Sequence, residues 1–94
     1  MGADMHTASL FPGAPELGDA FADNAPALVP VSDPVSGEAR ISLPAHVLRD
    51  AAVSHLVITG EEKLNAVQMA EAETDFNVAP ISAFLSDITV HWAA

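Results

Sequence analysis

Cysteine and tyrosine are absent from this 94-residue chain, lysine and arginine together number three, and aromatic residues make up only 5% of it. Each scarcity excludes something. Without cysteine there is no disulfide framework and no thiolate metal site. No apolar run approaches the ~20 residues that a membrane-spanning helix needs. The first residues lack the basic-then-apolar pattern of a secretory signal, which leaves the cytoplasm as the expected compartment. Thirteen acidic residues against three basic ones give a formal net charge of −10. That balance argues against nucleic acid and against a membrane surface as partners, since both bind through a basic face. No repeat, low-complexity tract or long linker divides the chain, so residues 1–94 are expected to form one unit.

Half of the residues are apolar and 17% are charged, a composition that argues for a packed core rather than disorder. The pattern alternates between strand and helix. Pro15 to Ala22 predicts a short helix with Leu17 and Phe21 four apart, and Ala27 to Val31 a small strand. Ser32 to Glu38, with Asp-Pro and Ser-Gly pairs, predicts a turn before a strand from Arg40 to Leu43. Pro44 to Ala52 predicts a helix, and Val53 to Thr59 a strand whose continuous apolar run suits cover on both faces. Thr59 and Glu62 have capping-box spacing at the head of a helix running to about Ala72. A loop over residues 73–77, a short helix from Pro80 to Ser86 and a strand from Ile88 to Trp92 complete the chain. This order predicts an α/β fold, part of a doubly wound and mostly parallel sheet, with any ligand beyond the carboxyl ends of the strands.

The chemistry concentrates at the start. Asp4 and His6 are two apart, so on an extended segment their side chains point the same way. Asp4 can then hold one imidazole nitrogen of His6 while the other faces a substrate, as a general base requires. An isolated Asp-x-His is more often a plain loop hydrogen bond; the attached Thr7-Ala8-Ser9-Leu10-Phe11-Pro12, through the resemblance it carries, turns the expectation toward a base. Ser9 lacks the Gly-x-Ser-x-Gly elbow of a serine nucleophile, so it is expected to cap the loop or to contact a substrate hydroxyl, and Thr7 to contact substrate. His46, His55 and His91 are scattered without ligand spacing and are read as structural.

The run from Gly2 to Gly13 resembles the signature loop of the 6-phosphogluconolactonases, lactone hydrolases of the oxidative pentose phosphate pathway. The likeness continues through Arg40-Ile41-Ser42-Leu43, through Leu56-Val57-Ile58-Thr59-Gly60 with Lys63 three residues on, and through Pro80-Ile81-Ser82-Ala83-Phe84-Leu85 to Ile88-Thr89-Val90-His91-Trp92-Ala93. The resemblance implies hydrolysis of 6-phospho-D-glucono-1,5-lactone without cofactor or metal, with His6 as general base oriented by Asp4. It also implies phosphate binding by Arg40 and Lys63. The bare residues allow other roles: Arg40 as a strand-end partner of Glu38, and Lys63 as a solvated cation among Glu61 and Glu62. The related glucosamine-6-phosphate deaminase/isomerases have a similar Asp-x-His loop, but there a glutamate follows where this chain has Ser9-Leu10-Phe11-Pro12.

Two departures matter. Most lactonases of this kind have glycine where Met5 stands, so the turn before His6 is made by a residue that tolerates positive φ poorly. Members of the family are also about twice as long, and their Gly-rich phosphate turn and acidic Glu-Arg segment have no counterpart in this chain. The expectation is therefore a truncated lactonase, its activity as an isolated chain open, with an unpaired sheet edge through which it self-associates. The rival expectation is a small acidic domain acting by association alone.

Overall fold

A computed structural model describes all residues from Met1 to Ala94. The elements run α1 (Leu17–Phe21), β1 (Val29–Ser32), β2 (Ala39–Ser42), α2 (Ala45–Arg49), β3 (Ser54–Thr59), α3 (Glu61–Ala72) and β4 (Ile88–Ala93). Two 3-10 turns, Pro80–Ala83 and Leu85–Asp87, stand where the sequence predicted one helix from Pro80 to Ser86. Their bonds run three residues back, as from the Phe84 amide to the Ile81 carbonyl at 3.0 Å and from the Asp87 amide to the Phe84 carbonyl at 3.1 Å. That spacing suits a short connector better than a regular helix.

The architecture is α/β, but the strands do not form one mostly parallel sheet. β1 and β2 pair antiparallel, Val29 opposite Ser42 and Ser32 opposite Ala39. β3 and β4 pair in parallel, from Ser54 opposite Ile88 to Thr59 opposite Ala93, and the two pairs are separate sheets. The difference follows from the connections. A short turn can return a strand only antiparallel, whereas a parallel neighbour needs a crossover of a dozen residues or more. Residues 33–38 make such a turn: the Asp33 carboxylate accepts the Val35 amide at 2.9 Å, and Gly37 has φ +72°. Between β3 and β4 the chain runs through α3 and both 3-10 turns.

β3 also departs from the cover expected on both faces. Leu56 and Ile58 are buried while His55, Val57 and Thr59 face solvent, Val57 being 72% exposed. Its apolar run is thus read out at the period of two that any strand imposes, with one side packed and one side bare. The packed side meets Val67 and Ala70 of α3 in a single core cluster that also takes Leu10, Phe11 and Leu17 from the first part of the chain, Val29 and Val31 from β1, and Ile81 and Phe84. Leu10, Leu17 and Ile81 are sealed from water almost completely. Burial of each such side chain contributes ~1.5–3 kcal/mol.

The capping box does not form. Thr59 remains in the ladder opposite Ala93, and Gly60, at φ +85°, turns the chain into α3 as its N-cap, with no side-chain cap. The helix therefore starts one residue later than the spacing assumed, and the third helical position is Lys63 rather than Glu62. The Gly60 amide instead donates to the Ala93 carbonyl at 2.9 Å, and its carbonyl accepts the Trp92 indole N–H at 2.9 Å. These two bonds lock the head of α3 to the end of β4. No helix of the structure is long and apolar enough to cross a membrane.

Candidate functional site

The loop before α1 is a chain of tight turns hung from the core. Gly2 and Met5 close the first, with the Met5 amide on the Gly2 carbonyl at 2.9 Å and the Gly2 amide on the His6 carbonyl at 3.0 Å. Thr7 and Leu10 close the second, the Leu10 amide donating to the Thr7 carbonyl at 2.9 Å. Both turns require positive φ, and they take it at Met5 (+73°) and Ala8 (+50°). Neither residue adopts that region cheaply, and strain of this kind gathers at sites where geometry matters more than stability. Leu10 and Phe11 anchor the loop from below, and the Ile81 amide holds the Met5 carbonyl at 3.1 Å.

Within the first turn Asp4 and His6 are paired as the sequence reading expected. One carboxylate oxygen, Oδ1, accepts the His6 backbone amide at 3.0 Å and lies 2.5 Å from the ring Nδ1. A contact that short to a carboxylate fixes the proton on Nδ1, so the neutral ring keeps its free lone pair on Nε2. The His6 side chain is 33% exposed, so Nε2 is reachable without the ring being fully hydrated. Gly2 makes room for the pair: a Cβ there would run into the His6 ring and stand 2.7 Å from Asp4 Oδ1.

The ring of His6 lies against Phe11, centroids 4.8 Å apart, and the Arg40 guanidinium lies over the same phenyl ring at 5.6 Å. Phe11 thus touches both His6 and Arg40, a role beyond the core aromatic that the sequence suggests. Arg40 also pairs with Glu38, Nη2 to Oε2 at 3.0 Å. Both side chains are largely in water, where such a pair is worth ~0–1 kcal/mol and yields readily to another anion.

Lys63 stands at the third position of α3, half-buried, beside first-turn amides that have no helical acceptor. It also comes close to the start of the loop. The Met1 amino group is held below its ordinary pKa, by burial first and then by the charge of Lys63, with Asp4 acting in the opposite sense. The two remaining expected contacts diverge. The Ser9 amide donates to the Oγ of Ser42, itself buried, at 3.1 Å, which ties the loop to β2. Thr7 faces the largest cleft, about 610 Å³, together with Arg49, Ser54, His55, Phe84 and Ile88.

That cleft lies at the amino ends of β3 and β4, where Ser54 and Ile88 stand, and neither His6, Asp4, Arg40 nor Lys63 lines it. In open α/β sheets ligands bind at the carboxyl ends of the strands. The Asp4–His6 pair, an oriented base on a strained loop, is the candidate site apart from that cleft. Of the remaining histidines, His46 is structural as expected, its Nε2 lying 2.7 Å from the Ala25 carbonyl. His55 and His91, scattered in sequence, are brought together, Nδ1 to Nε2 at 2.9 Å. Only the parallel register of β3 and β4 could have revealed that.

Comparison with known proteins places the chain among relatives of one kind. Residues 1–92 match the family described as glucosamine-6-phosphate isomerases/6-phosphogluconolactonase. The 6-phosphogluconolactonase of Pseudomonas aeruginosa is 39% identical over 94 residues, covering 98% of this chain and 40% of that protein. The enzyme of the same name from Rhizobium meliloti is 35% identical, covering 99% of this chain and 42% of that protein. Among solved structures, a 6-phosphogluconolactonase from Shewanella baltica superposes with a TM-score of 0.89 at 31% identity, over 100% of this chain and 42% of its own. The chain thus spans about 40% of the length of the curated relatives it matches.

Proposed function

Because this chain belongs to the glucosamine-6-phosphate isomerase/6-phosphogluconolactonase family, we propose that it carries the catalytic loop of a lactonase that hydrolyses 6-phospho-D-glucono-1,5-lactone to 6-phosphogluconate. The observation that carries the reading is the contact of 2.5 Å between Asp4 Oδ1 and His6 Nδ1, which leaves Nε2 as the free base of a partly exposed ring. Water attacks the lactone carbonyl carbon while Nε2 takes its proton. The tetrahedral oxyanion then collapses, and the ring oxygen leaves as a hydroxyl with the proton that the imidazolium returns. Asp4 stabilises that imidazolium and fixes the tautomer. A base so poised contributes ~10²–10⁴-fold to the rate.

Arg40 and Lys63, with the free amides of the first turn of α3, hold the phosphate. For Arg40 this means exchanging Glu38 for a phosphate oxygen, a change its largely solvated ion pair favours. Ser9 ties the loop to β2 through Ser42, and Thr7 lies on the side of the amino-end cleft, so neither is assigned a substrate contact. No cofactor or metal enters this chemistry. The deaminase/isomerase reading is weaker, because no glutamate follows His6 in the loop; its nearest acidic neighbour in sequence is Asp4, already paired.

The parallel pair β3–β4 belongs, on this reading, to a larger doubly wound sheet, and residues 1–94 act as one unit sharing one core cluster. A cytoplasmic location goes with a soluble sugar-phosphate substrate. A second reading, association through the bare sheet, has its own support. Val53 and Val57 are 70% and 72% exposed and Trp92 is 43% exposed, an apolar surface beside strand edges that invites pairing. Purified chain given 6-phosphogluconolactone separates the two. Hydrolysis above the spontaneous rate that disappears in His6→Ala supports the lactonase; no gain over the spontaneous rate at any protein concentration overturns activity of this chain and leaves association, read by gel filtration.

A further inference from the structure

Ser42 is the one polar residue buried in the chain, at 3% exposure, and the proposed hydrolysis makes no direct use of it. It stands in β2 opposite Val29, on the same face as Arg40, so its place is set by a ladder rather than by a loop. Its hydroxyl donates to the Leu43 carbonyl at 3.0 Å and accepts the Ser9 amide at 3.1 Å. A serine so placed is no nucleophile, because it is sealed from substrate and its proton is directed to a backbone carbonyl. What its oxygen reaches is the loop that carries His6.

That contact is the only side-chain hydrogen bond by which another element holds residues 1–13. His6 lies between two tethers: upstream the Ile81 amide holds the Met5 carbonyl at 3.1 Å, and downstream Ser42 holds Ser9. Only Thr7 and Ala8 separate His6 from Ser9, and Ala8 is at φ +50°, a region that alanine leaves when nothing holds it there. The next amide along the chain is the one that Ser42 binds. We propose that Ser42 is a positioning residue for the His6 base. Its hydroxyl keeps the turn at Ala8 in the left-handed conformation, and so keeps the ring with Nδ1 on Asp4 and Nε2 free. The inference rests on the reading of His6 as the base and adds the group that holds this base in place. Without the hydroxyl the Ser9 amide loses its acceptor, and the turn relaxes to find another. A base displaced by ~1 Å loses on the order of 10²-fold in rate. Arg40 stays in the ladder opposite Val31, so phosphate binding is spared.

Proton magnetic resonance of the full 94-residue chain tests this without turnover. The proton that Asp4 holds on His6 Nδ1 gives a low-field resonance that His6→Gln removes. In Ser42→Ala that proton should exchange with water about tenfold faster or more, and the Ser9 amide with it. Ser42→Thr, which keeps the hydroxyl, should restore both. In lactone hydrolysis Ser42→Ala should lower kcat by about 10–100-fold and leave KM within about twofold, with Ser42→Thr again restoring the rate. A folded Ser42→Ala whose His6 proton exchanges as in the parent, or whose loss lies in KM alone, overturns the proposal. So does a folded Ser42→Thr that behaves like Ser42→Ala. Hydrolysis that survives His6→Ala, or none by the parent chain, defeats the lactonase reading by itself, and the resonance still decides the role of Ser42. Circular dichroism reports whether each variant is folded. Should Ser42→Ala not be, Ser42→Cys, whose sulfur is a weaker acceptor, takes its place with the same expectations.

Discussion

Met5 and Ala8 flank His6 at φ +73° and +50°, and glycine should be the better residue at both. An L-residue in the left-handed region costs about 1–2 kcal/mol. At an ordinary position glycine is worse than alanine by roughly 0.5–1 kcal/mol, because it has more freedom to lose on folding. At Ala8, which is exposed and packs against nothing, only these two terms compete. Ala8→Gly should therefore stabilise the chain by about 0.5–1 kcal/mol. For a domain of this size 1 kcal/mol moves the unfolding midpoint by about 4–8 °C.

Met5 adds a third term, because its side chain is partly buried against the core. Met5→Ala discards that packing and keeps the strain; a fully buried methionine loses ~2–5 kcal/mol in this change, and a partly buried one about half as much. Met5→Gly discards the same packing but sheds the strain, so it should exceed Met5→Ala in stability by about 1 kcal/mol. The comparison cancels the packing term and leaves the backbone. Thermal and urea unfolding followed by circular dichroism measure it. If Met5→Gly proves less stable than Met5→Ala, and Ala8→Gly less stable than the parent, the backbone argument for this loop is refuted.

Gly2→Ala should reduce lactone hydrolysis nearly as much as His6→Ala, because a Cβ there runs into the His6 ring and crowds Asp4; initial rates with 6-phosphogluconolactone check it, and full activity would mean that the pair has room to move. Asp33 supplies a pH prediction. The Val35 amide holds its carboxyl below the ordinary value, helped by Ser36 and Arg40 and opposed by burial. A folded-state pKa below the unfolded one adds stability above the unfolded value, about 3.9, and loses it as pH falls through the folded value. The β1–β2 turn should therefore loosen only below about pH 4, seen as faster exchange of the Val35 and Ser36 amides, and Asp33→Asn should remove that dependence.

Local features of the molecule were legible before any coordinates. Asp4 and His6 meet because a two-residue spacing leaves little choice, and the strain at Met5 follows from a turn that wants glycine. The helix over residues 61–72, the strands of residues 39–42 and 54–59, and the Asp33–Gly37 turn all follow from short-range chemistry. Where the reading missed by a residue, a local rival won: Gly60 took the cap that Thr59 could have supplied, because Thr59 is held in the ladder opposite Ala93.

What depended on distant partners was not legible. An apolar run cannot say whether one or both of its faces are covered, and Val57 turned out bare because nothing in the chain packs above it. The service of Phe11 to both His6 and Arg40 joins residues almost thirty positions apart, through a loop anchored in the core and a strand beside it. The meeting of His55 with His91 needed the register of a parallel pair, which no spacing within either strand encodes. The sequence by itself determined the chemistry of its first turn, since neighbours along the chain meet whatever the rest does. Which residues share the Phe11 ring, and which histidines become neighbours, only the tertiary structure decided, because those contacts exist only once separate segments are packed on a common core.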